Sequence, residues 1–136
     1  MKSSVDPDVL RHWIGRSETM RDTLHLGPAN LMEMTMDRVP SLDLGDTLPP
    51  LWHWLYFLRS APLHALGRDG HPAKGGFLPP VALPRRLWDG GRFGFDGGLQ
   101  IGEKVTKKSR IIDVDLKTGR SAALYVVTVR PEVDTT

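Results

Sequence analysis

"EKVTKKSRIIDVDLKTGRSAALYVVTVR", residues 103–130, decides the fold. Two extended segments, 103–116 and 121–130, flank Lys117-Thr118-Gly119-Arg120, which suits a tight hairpin turn. Side chains alternate between the two faces of a strand, so Ala123, Tyr125, Val127 and Val129 fall together on one face of the second segment. In the first, Ile112, Val114 and Leu116 alternate cleanly, but Ile101 and Val105 have the opposite parity. A bulge near Ile111 is expected to reconcile the two phases. Lys104, Thr106, Lys108 and Arg110 share a face, which reads as a solvated strand face. Nucleic-acid binding would call for interleaved aromatic residues that this run lacks.

Upstream of the hairpin, Arg92–Phe95 reads as a short strand and Gly97-Gly98 as a turn. Residues 60–91 hold "GRDGHPAKGG", "FLPPVALPRR" and "WDGGR", too rich in proline and glycine for regular structure. They form one long loop, whose apolar residues (Phe77, Leu78, Val81, Leu83, Leu87, Trp88) argue against simple disorder. Before it, "LWHWLYFL" (51–58) follows Pro49-Pro50 and is apolar on every side. That pattern predicts a buried helix over 50–59, the natural cover for the apolar face of the sheet. Residues 28–37 predict another helix, with Leu31, Met32, Met34 and Met36 inward and Glu33 and Asp37 outward. Residues 16–24 read as a strand. Residues 6–14 read as a short helix capped by Asp6, with Pro7 in its first turn and Val9, Trp13 and Ile14 on its apolar side. Helices first and an antiparallel meander after them make an α+β fold. No internal repeat is visible.

The 136 residues suit one domain, 1–136, and at 40% hydrophobic and 25% charged they resemble an ordinary globular chain. The formal net charge of +2 is too small to imply a nucleic-acid partner. The absence of cysteine excludes disulfides, thiolate metal sites and a cysteine nucleophile. No stretch has the composition of a signal peptide or a membrane span, so a cytoplasmic location is expected. No metal-ligand cluster, Gly-x-Ser-x-Gly elbow or P-loop is present. The glycines of "GRFGFDGG" (91–98) join β segments and do not open a helix, so no dinucleotide site follows.

"WIGRSETM" (13–20), "LPPLWHWLYFL" (48–58), "GRDGHPAKGGFLPPVALPRRLWDGGRF" (67–93) and "GLQIGEKVTKKSRIIDVDLKTGRSAALYVVTVR" (98–130) carry a resemblance. Over about residues 10–131 the chain resembles the N-terminal half of the MaoC-like hydratase/dehydratase family, and "GGFLPPVALPRRLWDGGR" is the most specific of these stretches. The resemblance implies a hot-dog fold, an antiparallel sheet curved around a central helix. It implies reversible addition of water to an α,β-unsaturated acyl-CoA such as mesaconyl-CoA, with no cofactor beyond the CoA thioester itself. Such chains usually carry two hot-dog domains, with the catalytic Asp and His in a Gly-Asp-x-Asn-Pro-x-His motif of the second. The family's first domain usually continues beyond "RPEVDTT", so this chain is expected to lack one C-terminal strand and to need a second hot-dog domain or subunit. The resulting exposed sheet edge and apolar face predict a homo- or hetero-oligomer.

Residues 45–51, Gly-Asp-Thr-Leu-Pro-Pro-Leu, keep the Gly, Asp and Pro of that motif, but Leu48 stands for its Asn and Leu51 for its His. Hydration needs a base for water and an acid for the α-carbon. Asp46 and His53 are the candidate pair. The plainer expectation is that Asp46 braces its turn and His53 is a core histidine. In the loop, His71, Lys74, Gly75, Gly76, Arg85, Arg86 and Trp88 are the candidate CoA contacts: cations for phosphates, an indole for adenine stacking, glycines for close backbone approach. The competing expectation is that Arg85 and Arg86 brace the loop. Met20, Met32, Met34 and Met36 read as core filling or as lining for an acyl tunnel. A non-catalytic hot-dog module, binding an acyl thioester or dimerising, is the alternative function.

Overall fold

A computed structural model of the chain describes residues 6–73, 76–81, 83, 85–120 and 122–136. In chain order the elements are α1 (Pro7–Arg11), β1 (Ser17–Thr23), α2 (Leu26–Thr35), β2 (Lys104–Thr118) and β3 (Ala123–Thr135), with 3₁₀ turns at Trp52–Leu55 and Leu63–Ala65. The strands form a sheet in the order β1-β2-β3. Both pairings are antiparallel. Gly15 and Arg16 bond to Ile111, whereas Leu24 bonds to Gly102 and Glu103. Gly119 N–H donates to Ala122 at the hairpin turn, and Thr136 N–H donates to Lys104 at the far end. β3 continues past the expected end at 130 and through Pro131. An outer strand tolerates proline, because one side of it has no ladder to lose.

The chain divides into two compact units: Met1–Glu18, Arg59–Gly90 and Lys108–Pro131; and Thr19–Leu58, Gly91–Lys107 and Glu132–Thr136. In the first, Asp6 Oδ1 accepts the Asp8 N–H at 2.9 Å and Pro7 opens α1, as the sequence predicts. The residue α1 buries is Leu10, at 0% exposure, while Val9 and Ile14 face solvent. Leu10 packs with Ile111 and Val114, and Trp13, Phe77, Val81, Tyr125, Val127 and Val129 close around them. The burial of β2 changes phase near Ile111, as expected, but Ile112 does not share the buried face of Val114. Val105, Ser109 and Ile111 are buried, then Ile112 and Asp113 are exposed, then Val114 is buried. The basic positions Lys104, Lys108 and Arg110 face solvent.

In the second unit α2 is the packed helix. Leu26 and Ala29 join Met20 of β1, Val105 of β2, Val133 of β3, and Leu24, Tyr56, Phe57 and Ile101 in one core. This helix-on-antiparallel-sheet arrangement is the α+β architecture of a hot-dog domain. α2 begins two residues before the expected Pro28, which still lies in the first turn, where no N–H is needed. Its faces differ from the expected ones: Ala29 and Glu33 are buried, Leu31, Met34 and Met36 are exposed and Met32 is half-buried, while Asp37 is exposed as expected. Small Ala29 allows close packing, and Glu33 turns inward because its carboxylate is in demand there. It accepts hydrogen bonds from Ser41 N and Oγ, Leu42 N and Asn30 Nδ2. Burial pushes the Glu33 carboxyl up, but these donors together outweigh it and hold the pKa below the usual value. α2 ends in a Schellman turn: Arg38 N–H donates to Glu33 O, Asp37 N–H donates to Met34 O, and Asp37 takes a left-handed φ of 58°.

The helix expected over 50–59 does not form. A four-residue 3₁₀ turn stands between two left-handed residues, Leu51 (φ 70°) and Phe57 (φ 55°). Competing partners explain this. Pro49 and Pro50 supply no donors, and the Phe57 N–H is taken by Asp22 Oδ2 at 2.8 Å. The Tyr56 hydroxyl reaches His25 O at 2.6 Å. Tyr56 and Phe57 are buried, but Trp54 and Leu58 are exposed, so the segment is not buried all round. The strand expected at Arg92–Phe95 is also absent. The pairing is taken up just downstream, where Thr47 bridges Gln100 antiparallel.

Candidate functional site

Residues 45–48 and 99–101 run side by side in the second unit. Gly45 N donates to Ile101 O, Ile101 N to Asp46 O, and Leu48 N to Leu99 O at 2.7 Å. This pins the chain so closely that a Cβ on Gly98 would lie 2.7 Å from Thr47 Cγ2, a contact real structures do not tolerate. Glycine is therefore the residue that fits there. Beside this junction opens a cleft of about 310 Å³, whose lining includes Leu51, His53, Phe95, Asp96 and the Gly97-Gly98 pair.

Of the two candidate acid–base residues, the cleft takes in His53 but not Asp46. Asp46 is exposed, and its Oδ2 accepts the Asp43 N–H at 2.8 Å while its own N–H returns to Asp43 O. It closes a local turn. No hydrogen bond or ion pair joins it to His53. His53 is half-buried on the 3₁₀ turn, edge-on to Trp54, which in turn meets Phe93 edge-on at 5.5 Å. Burial lowers the His53 pKa below the usual 6.5, and the positive charge of Lys107 adds to this. The ring is therefore neutral near pH 7, able to accept a proton through one nitrogen and donate a hydrogen bond through the other.

The loop candidates belong to the other unit. Asp69 gathers two of them. Arg86 Nε donates to Asp69 Oδ2 at 2.9 Å and Nη2 to Oδ1, and His71 N donates to Asp69 Oδ1. The Arg86 hydrogen bonds, seconded by His71, pull the Asp69 carboxyl down to about 2. Arg86 Nη2 also reaches Pro72 O, so this guanidinium braces residues 67–72. Arg85 and Trp88 are exposed, and a Cβ on Gly76 would meet open space. Lys74 and Gly75 lie outside the described residues. Of the methionines, Met20 packs on the core, while Met34 and Met36 are exposed. Among the described residues no group of three or more His, Asp or Glu is placed to hold a metal ion. Likewise, no helix among them is long and apolar enough to cross a membrane.

The sequence pattern of hydroxyacyl-thioester dehydratase type 2 matches residues 51–135. The chain belongs to this family. It is also 42% identical over 118 residues to the mesaconyl-C(4)-CoA hydratase of Chloroflexus aurantiacus, a match covering 86% of this chain. The chain spans 42% of the length of that relative. The stretch expected from the resemblance to echo the family motif serves the fold. Leu48, in the place of the motif's Asn, is 5% exposed and belongs to the core. Leu51, in the place of its His, adopts the left-handed conformation at the wall of the cleft. Asp96 and Phe95 are cleft residues that the sequence reading missed, and Gly97-Gly98 were read only as a turn. Their one sequence signal is the run Phe-Asp-Gly-Gly, and its meaning depends on the pairing with Thr47.

Proposed function

We propose that this chain acts as the N-terminal half or subunit of an enoyl-thioester hydratase/3-hydroxyacyl-thioester dehydratase, acting on an α,β-unsaturated acyl-CoA such as mesaconyl-CoA. The family match, together with the 42% identity to a mesaconyl-C(4)-CoA hydratase, carries this reading. In the reaction, hydroxide from water bonds to the β-carbon as a base takes the water's other proton. The double-bond electrons move toward the thioester carbonyl, and an acid then protonates the α-carbon. The chain shapes the acyl-CoA pocket, and a second hot-dog domain or subunit supplies the motif Asp and His. Turn bracing by Asp46 supports that division, since its carboxylate already holds the Asp43 N–H. Loop residues His71, Lys74, Gly75, Gly76, Arg85 and Trp88 meet the CoA nucleotide, and Arg86 joins them by exchanging Asp69 for phosphate. The working assembly is a cytoplasmic oligomer.

The second reading, a non-catalytic hot-dog that binds an acyl thioester or dimerises, draws on the lack of any link between Asp46 and His53. Calorimetric titration with butyryl-CoA, which cannot be hydrated, tests the shared core of both readings. The expected result is saturable binding that free CoA competes away and Arg85→Ala weakens. Absence of binding to butyryl-CoA and crotonyl-CoA alike contradicts acyl-thioester binding in both readings and leaves only dimerisation.

A further inference from the structure

The sequence contains three Asp-Gly pairs, at 69–70, 89–90 and 96–97. All three share one chemistry. The glycine nitrogen can attack the aspartyl Cγ and close a five-membered succinimide, and glycine, with no Cβ, puts the least in the way. The N–Cγ bond forms as the carboxyl OH departs with the amide proton as water. Water then reopens the ring. Addition at Cγ restores aspartate. Addition at the main-chain carbonyl gives isoaspartate, in which the backbone runs through the side-chain methylene. One water leaves and one returns, so no oxidant or other co-reactant is needed.

The fold treats the three pairs differently. Asp69 is engaged at both reacting groups. Its Oδ2 accepts from Arg86 Nε at 2.9 Å, and its Oδ1 accepts from Arg86 Nη2 and the His71 N–H. The Gly70 N–H, on the attacking nitrogen, donates to Gly67 O at 3.1 Å. The Arg86 bonds also hold the Asp69 carboxyl down to about 2, so it seldom carries the proton that must leave as water. Asp89 and Asp96 are exposed, and neither carboxylate has a hydrogen bond or ion pair among the described residues. The Gly90 and Gly97 N–H groups also donate to nothing among them, and a Cβ on either glycine would meet open space. Carboxyl and amide are free to approach at both pairs.

At Asp96 the change has a structural consequence. Two residues on, a Cβ on Gly98 would lie 2.7 Å from Thr47 Cγ2. Thr47 bridges Gln100, and the Leu48 N–H donates to Leu99 O at 2.7 Å. An extra backbone methylene before Gly97 pulls against this fixed register and shifts the cleft wall built by Phe95, Asp96 and Gly97.

We infer that Asp96-Gly97 and Asp89-Gly90 are isoaspartate-forming sites of the folded protein, that Arg86 and Gly67 protect Asp69-Gly70, and that conversion at Asp96 loosens the pairing of 45–48 with 99–101. The inference goes beyond the acyl-thioester reading and does not depend on it.

The test is to age the folded chain in warm, neutral ¹⁸O-water and map its Asp-Gly peptides by mass spectrometry. Electron-transfer fragmentation tells isoaspartate from aspartate. Heavy oxygen and isoaspartate are expected at Asp96 and Asp89. Asp69 is expected to react at least about tenfold more slowly, its carboxyl being held near 2 and not 3.8. Arg86→Ala should bring Asp69 up to the other two, and unfolding the wild type in urea should bring all three together. Aged wild type should show a second set of ¹H–¹⁵N peaks at Thr47, Leu48 and Leu99. Aged Asp96→Glu should show none, because a glutamyl side chain must close a slower six-membered ring. Spectra taken before ageing report whether each variant is folded. Equal rates at the three pairs in the folded chain, or an Asp96 that reacts only in urea, overturn the assignment of sites. An Asp69 that stays slow in Arg86→Ala overturns the protection. A second peak set that appears equally in Asp96→Glu overturns the structural consequence.

Discussion

Replacing Asp37 by glycine should stabilise this protein. Asp37 follows the last turn of α2, with φ at 58° and an exposed side chain that takes no part in the Schellman hydrogen bonds. An L-residue in the left-handed region costs roughly 1–2 kcal/mol, less for Asp than for most. Glycine removes that cost but adds about 0.4–1 kcal/mol of unfolded-state entropy. With about 1 kcal/mol for Asp, the net gain should be up to about 0.6 kcal/mol, whereas Asp37→Ala, which bears the full steric penalty, should lose up to about 1 kcal/mol. For a chain of this size that is a change in Tm of up to about 2 °C upward and about 4 °C downward. Urea unfolding followed by circular dichroism reads it as a shift of midpoint at constant slope. An Asp37→Ala variant as stable as Asp37→Gly would refute the reasoning. It would mean that α2 does not end on a left-handed residue, and that the path from Glu33 to the turn at Asp43–Asp46 starts differently.

Three further outcomes follow from the packing and the charges. Ile111→Ala should cost about 2–5 kcal/mol, as for a fully buried aliphatic, and Ile112→Ala much less, because the phase change in β2 turns Ile112 to solvent; similar losses at both sites, by the same urea assay, would contradict that register. Carbon-detected NMR should find the Asp69 carboxyl titrating at about 2 and moving up toward 3.8 in Arg86→Ala, with no movement if Arg86 is not its partner. The His53 ring should titrate below 6.5, because burial and then Lys107 disfavour its cation. Its native pKa is depressed, so its contribution to stability is complete above 6.5 and is lost as pH falls through the native value. His53→Phe should therefore flatten the pH dependence of the urea midpoint in that window, and an unchanged profile would count against a buried, neutral ring.

The hairpin was legible because period-two alternation and Gly119 act locally. The phase break in β2 was legible for the same reason: Val105 and Val114 cannot share a face without it. The cap of α1 needed only Asp6 and Pro7. What could not be read was set by partners far along the chain. The 50–59 stretch has a helix's apolar content, but Asp22 takes the Phe57 N–H and His25 takes the Tyr56 hydroxyl, more than thirty residues away. Glu33 reads as a surface residue until Ser41 and Leu42 fold back onto it. The same limit applies to the site. Asp46 and His53 were visible as residue types, but the turn that occupies Asp46 and the cleft that joins His53 to Gly97-Gly98 arise from the pairing of 45–48 with 99–101. The family resemblance rested on the loop motif and the strand sequences, and the match over 51–135 agrees with it.

The most direct test of the account is turnover of mesaconyl-CoA and crotonyl-CoA, read as loss of the conjugated-thioester absorbance. The purified chain would be assayed alone and with a hot-dog subunit bearing an intact Gly-Asp-x-Asn-Pro-x-His motif. The chain alone should give no turnover, and hydration should appear when the two are mixed. Hydration by the chain alone that Asp46→Asn abolishes would contradict the account, because the worn motif would then be the working catalytic centre.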